Sequence, residues 1–88
     1  MAQDLFKQAG DNFTALVSSA NVSNEDQLKA YGWYKQATVG DASSTRPTGL
    51  FSKETAKWDA WFERKGKSQD EAKQEYINWV NELRVKYA

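Results

Sequence analysis

The sequence predicts an all-α domain built as a bundle of four helices, and three observations carry that prediction. Apolar residues recur at three- and four-residue intervals in separate stretches. No stretch alternates as a strand would. The later stretches each open on a serine or asparagine of the kind that caps a helix. Eighty-eight residues have room for one core and not two, so residues 1–88 are read as a single domain.

The first helix is expected from Asp4 to Val17, with Phe6, Ala9, Phe13, Leu16 and Val17 at helical spacing and Asp4 in the first turn. The second begins at Asn24, which with Gln27 has the form of a capping box, while Glu25 and Asp26 suit the helix dipole. It stops near Gly40, a residue suited to follow a helix end. Residues 40–51 then form a connection of about twelve residues, long for a bundle. Such a connection is either functional or a plain crossover between helices that are not neighbours, and both can hold. Ser52 caps a third helix running to Arg64, with Ala56 and Ala60 on one small-residue line and Trp58, Trp61 and Phe62 around it. Gly66 breaks the chain. Ser68 with Glu71 forms another capping box, and the fourth helix runs to Tyr87 with Ala72, Tyr76, Trp79, Val80, Leu83 and Tyr87 on its apolar face. Its charges follow the dipole: Glu71 and Glu75 near the start, Arg84 and Lys86 near the end.

Composition removes several functions. There is no histidine and no cysteine, so the commonest general base and metal ligand is missing and no disulfide framework exists. The glycines form neither a P-loop nor a dinucleotide fingerprint. The paired carboxylates Glu25-Asp26 and Asp70-Glu71 sit at helix starts, where capping accounts for them. No catalytic residue, metal site or cofactor is therefore expected. The net charge is zero, from 12 basic and 12 acidic residues. Between Leu28 and Lys57, however, Lys29, Lys35, Arg46, Lys53 and Lys57 face only Asp41 and Glu54, which leaves that segment at +3 and the remainder at −3. A locally basic middle suits a compact anion better than a long polyanion, although scattered solvated charges would look the same. No basic stripe follows any one helix, which argues against nucleic acid. No basic leader followed by an apolar run opens the sequence and no stretch is apolar enough to span a bilayer, so a cytoplasmic protein without stable membrane insertion is expected.

The second helix carries the one odd pattern. At about 100° per residue, Leu28, Tyr31, Tyr34, Lys35 and Thr38 fall on one side, with the lysine between Leu28 and Tyr31. Either its stem lies on the stripe while the ammonium reaches water, or the ammonium meets an anion brought by a ligand that also buries apolar surface. A helical protein-interaction module would use the aromatic faces but would not explain the lysine. A ligand with a phosphorylated head and an apolar tail would use the tyrosines, the local positive charge and the long loop together.

Tyr34-Lys35-Gln36-Ala37-Thr38-Val39-Gly40-Asp41, then Arg46-Pro47, then Ala56-Lys57-Trp58-Asp59-Ala60-Trp61, then Tyr76-Ile77 resemble, in that order and across essentially the whole chain, the acyl-CoA-binding protein family. The resemblance implies an up-down-down-up four-helix bundle with a long crossover between the second and third helices. It further implies a non-enzymatic, monomeric carrier of long-chain fatty acyl-CoA esters. At matching positions the implied ligand residues are Tyr31, Tyr34 and Lys35 on the second helix, Lys57 on the third and Tyr76 on the fourth. Lys35 and Lys57 would hold phosphate, Tyr31 and Tyr34 would lie near the nucleotide, and Tyr76 would close the site. The tail would lie in an apolar groove near the first helix. The sequence also departs from the pattern. Thr14 and Thr55 stand where many members carry lysine, Pro47 is followed by Thr48 rather than glycine, the segment from Ser18 to Ser23 is longer and lacks a proline, and Trp33 is larger than expected.

Overall fold

The computed structural model describes residues 2–48 and 52–88 and, among them, contains four helices and no strand: α1 (Ala2–Ser19), α2 (Asn24–Thr38), α3 (Lys53–Phe62) and α4 (Gln69–Lys86). Leu50 and Phe51, assigned to the end of the long connection, lie outside the described residues, as does Gly49.

The helix starts obey local chemistry. Ser52 and Ser68 have extended backbones, and their hydroxyls accept the N–H groups of Thr55 and Glu71. The second helix corrects the expected cap by one residue. Ser23, not Asn24, has the extended backbone (φ −64°, ψ 155°), and its Oγ accepts the Asp26 N–H at 3.2 Å. Asn24 is thereby the first helical residue, and the side chain of Gln27 reaches past the cap to donate to the Val22 carbonyl at 3.0 Å. The third helix ends at Phe62, short of Arg64, in tight turns that finish on Gly66 with φ 92°. Gly40 takes φ 98°, and its N–H closes α2 on the Lys35 and Gln36 carbonyls. At both glycines a side chain would meet the left-handed penalty.

Side-chain bonds fix the directions of the helices. The start of α2 meets the end of α4, where Asp26 accepts from Lys86 and Tyr87, and the end of α2 meets the start of α4, where Gln69 donates to the Ala37 carbonyl. These two helices are antiparallel. By contrast, Lys57 lies over Tyr31 and Trp61 donates to the Gly40 carbonyl at 2.7 Å, so α2 and α3 run the same way. With the short turn after α1, the order is up-down-down-up. The backbone of α4 packs on α1 and on α2, and α2 also packs on α3, whereas α1 and α2 have no close backbone approach.

The core forms around Ala9, Ala30, Tyr76 and Val80, with Phe6, Phe13, Trp33, Ile77 and Trp79 packed against it. Two polar clusters hold the helix ends. Gln36, fully buried, donates from Nε2 to Asp41 at 2.9 Å and to the Lys67 carbonyl at 2.8 Å, while Asp41 also accepts the Gly66 N–H at 3.0 Å. The turn between α3 and α4 is thereby tied to the end of α2. The long connection is fastened to α3 by a bidentate Arg46–Asp59 pair, two bonds of 2.9 Å each, and it buries Ala42.

Capping does not fully account for Asp26. It is buried, and its carboxylate accepts Lys86 Nζ at 2.8 Å and the Tyr87 hydroxyl at 2.7 Å; that hydroxyl in turn accepts the Ser23 N–H, and Trp79 donates to the Asp26 carbonyl at 3.1 Å. The Lys86 and Tyr87 bonds hold its pKa below the ordinary 3.8. A carboxyl depressed in the native state adds stability that is present above its unfolded pKa and lost as pH falls through the native one. Asp26→Asn is expected to cost about 1–2 kcal/mol at neutral pH, the worth of a charge-assisted bond made partly at the surface. Below pH 3.8 the gap between variant and parent should close. Urea midpoints taken on both sides of that pH check it, and a gap of constant size would refute it.

Candidate functional site

Because the backbones of α1 and α2 do not approach each other and both pack on α4, a gap is left between them, and aromatic side chains line it. The cleft has a volume of about 590 Å³ and is formed by Phe6, Lys7, Gly10, Asp11, Phe13 and Thr14 of α1, Ala30, Tyr31 and Tyr34 of α2, and Tyr76 of α4. Ala30 and Tyr76 are its buried floor, at 1% and 3% exposure, and Tyr34 is exposed at its edge. Helical spacing explains the walls: residues 6, 10 and 13 of α1 and residues 30, 31 and 34 of α2 each recur at three or four positions and so share a face.

The rings bridge the gap that the backbones leave. Phe6 stacks on Tyr34 at 5.6 Å between centroids and meets Tyr76 edge-on at 5.3 Å; Tyr34 lies 5.5 Å from Tyr76. Burial, with Tyr34 beside it, pushes the Tyr76 phenol up to about 12. It is therefore protonated at any physiological pH, and its hydroxyl makes no hydrogen bond among the described residues. A donor without a partner on the floor of an aromatic cleft is a group that a ligand acceptor can satisfy.

The five residues expected from sequence are not in one place. Tyr31, Tyr34 and Tyr76 line the cleft. Lys57 reaches across from α3 to put its ammonium 5.4 Å from the Tyr31 ring centroid, beside a cleft wall. Lys35 points to α3 instead, its ammonium 5.0 Å from the Trp61 ring centroid. The stripe read along α2 is thus divided between two neighbours. Tyr31 and Tyr34 face α1, while Leu28 helps line a second hollow of about 420 Å³ with Ala56, Ala60 and Arg64. The tryptophans of α3 and α4 lie outside the cleft lining: Trp79 packs on the core, Trp61 bonds to Gly40, and Trp58 stacks on Phe62 at 4.6 Å.

The resemblance put an apolar groove near α1, but helical spacing alone marked no site on that helix. Phe6 and Phe13 have the spacing of a core face, and Lys7 and Asp11 belong to no motif. Gly10 is the one signal that could have been used, since glycine weakens a helix interior. Of the positions that depart from the family pattern, Thr14 lines the cleft, and Thr55 is 2% exposed and bonded to the Ser52 hydroxyl at 2.7 Å. Trp33 packs on the core and carries the Arg64 guanidinium 5.0 Å from its ring centroid. Among the described residues no three acidic groups gather as a metal site would require, and no helix is long and apolar enough to cross a membrane.

Known proteins resemble this chain in sequence and in fold. The family model described as "Acyl CoA binding protein" matches residues 3–80. A Brassica napus acyl-CoA-binding protein is 58% identical over 66 residues, covering 74% of this chain and 71% of its own length. The Drosophila melanogaster acyl-CoA-binding protein homolog is 40% identical over 88 residues, the full length of both. Among solved structures, the crystal structure of Oryza sativa acyl-CoA-binding protein 2 matches with a TM-score of 0.79 at 40% identity, over 98% of this chain and 93% of that one. On its sequence and on its helical architecture, the chain belongs to the acyl-CoA-binding protein family.

Proposed function

We propose that the chain is a non-enzymatic carrier that binds long-chain acyl-CoA esters, one per molecule, as a cytoplasmic monomer and a single domain over residues 1–88. The observation that carries this reading is the aromatic cleft between α1 and α2, floored by a tyrosine whose hydroxyl has no partner among the described residues and flanked by a lysine. Relatives named for acyl-CoA binding support the ligand class.

In this reading the rings of Tyr31 and Tyr34 pack the nucleotide head, Lys35 and Lys57 meet its phosphates, and the Tyr76 hydroxyl donates into the site. The acyl tail lies along apolar surface near α1. Both lysines rest on rings in the free chain, Lys57 on Tyr31 and Lys35 on Trp61. A cation over a ring gives up about 0.5–1 kcal/mol at exposed sites when it leaves, less than the roughly 1.5–3 kcal/mol of a charge-assisted bond to phosphate. Each methylene removed from water contributes about 0.8 kcal/mol, so a dozen give about 10 kcal/mol before ordering costs. The tail then sets affinity, and the cations set register and head-group identity. No cofactor, metal or nucleic acid takes part.

Titration calorimetry with palmitoyl-CoA, free palmitate and free CoA tests the reading, and the ester is expected to bind far more tightly than either half. Palmitate binding as tightly as its ester would remove the nucleotide from the hypothesis. Lys35→Ala and Lys57→Ala should each weaken ester binding by about 1–3 kcal/mol while the helical circular dichroism stays unchanged. Lys35→Ala binding at full strength would mean that this lysine only packs on Trp61.

A further inference from the structure

The α1 wall carries a feature that its own packing does not require. Gly10 sits inside a helix, where glycine is less favourable than alanine, yet a Cβ built there would meet nothing within 4 Å. No close approach of another helix explains it, as one does at Gly32. What Gly10 leaves is open space, and that space belongs to the cleft.

Three other α1 residues line the same wall: Lys7, Asp11 and Thr14. The hydroxyl of Thr14 is spent on the Gly10 carbonyl at 3.0 Å. The charge on Asp11 repels an anion. Lys7 is exposed, lies between Asp4 one turn before it and Asp11 one turn after, and forms no ion pair within 4.0 Å among the described residues. Among the described residues it is the only cationic side chain that α1 contributes to the cleft. On the opposite side, Lys57 stands over Tyr31.

We propose that Lys7, together with the gap that Gly10 leaves beside it, forms the α1 half of the head-group site and pairs with a phosphate of the bound thioester. This rests on the acyl-CoA reading above and adds to it a second cation bank facing that of α2 and α3. Where the family pattern has a lysine at position 14, this chain has a threonine with its hydroxyl occupied, and the α1 cation stands two turns earlier. The phosphate belongs either to the diphosphate or to the ribose 3′ position, and the chemistry asked of Lys7 is the same in both cases.

Calorimetry with palmitoyl-CoA separates the possible outcomes. Lys7→Ala is expected to bind about tenfold more weakly, the loss of one solvent-exposed charge-assisted bond. Its thermal midpoint should stay unchanged, since Lys7 joins no ion pair in the free chain. Lys7→Arg should restore binding, and raised ionic strength should shrink the difference between parent and Lys7→Ala. Gly10→Leu should fold at least as stably as the parent and still lose tenfold or more in affinity, because leucine fills the gap. Repeating the Lys7→Ala titration with palmitoyl-dephospho-CoA assigns the phosphate: a loss that persists places Lys7 on the diphosphate, and a loss that vanishes places it on the 3′-phosphate. Lys7→Ala within twofold of a parent that binds palmitoyl-CoA overturns the inference, and Gly10→Leu binding at parental strength overturns the use of the gap. A parent that does not bind palmitoyl-CoA instead refutes the reading on which the inference rests.

Discussion

Tyr76→Ala is expected to lower the unfolding free energy by about 3–5 kcal/mol, as removal of a buried ring from a packed core does. Tyr76 is 3% exposed, belongs to the core with Ala9, Ala30 and Val80, and contacts the rings of Phe6, Phe13 and Tyr34. It belongs to both core and cleft, so its truncation should also abolish tight ester binding. Tyr76→Phe separates the two roles. The phenylalanine keeps the ring and removes a hydroxyl without a partner among the described residues, so the stability of the free chain should change by less than about 1 kcal/mol. Ester affinity should fall by about 1 kcal/mol, the worth of a single hydrogen bond to ligand. Urea unfolding and calorimetry on the same preparations check both. A Tyr76→Phe variant that binds like the parent would leave the hydroxyl without a role.

The second large effect is at Gly32, which is buried in the middle of α2. A Cβ there would drive into the backbone carbonyl of Ala60 on α3, with its oxygen well inside van der Waals contact and its carbon at 2.9 Å. Backbone is on the far side, so no side-chain rotation relieves the clash. Gly32→Ala should therefore cost about 3 kcal/mol, at the upper end of the range for overpacking, despite the better helix propensity of alanine. Part of the strain should emerge as separation of α3 from α2, pulling Lys57 away from Tyr31. Ester affinity should then fall although Gly32 touches no ligand. A variant as stable as the parent would show that the two helices slide apart at no cost.

These two residues mark where reading the sequence works and where it stops. The caps at Ser52 and Ser68 were legible because a cap is settled within four residues. At the second helix the reading fell on Asn24, and the extended backbone of its neighbour Ser23, whose side chain has the same capping chemistry, moves the cap back by one residue. Helical spacing placed Leu28, Tyr31, Tyr34 and Lys35 on one side of α2, but an angle around a helix does not say which neighbour covers each arc. The partner of Lys35 is Trp61 and the partner of Tyr34 is Phe6, and only the direction of α3 and the gap beside α1 settle that. Asp26 looked like an ordinary first-turn acid because its partners Lys86 and Tyr87 come from the other end of the domain. Gly32 offers no pattern at all, since a requirement for close approach belongs to the residue opposite. The up-down-down-up order came from the family resemblance, not from periodicity.

One consequence follows from the way α1 is held. Its backbone docks on α4 alone, and stacked rings rather than main chain span the distance to α2. The width of the cleft should therefore be governed by a single helix–helix seam, and cargo occupancy should be coupled to the seating of α1. Substitutions at the α1–α4 seam, out of reach of any cargo, should tune loading and release by changing how far the jaw stands open.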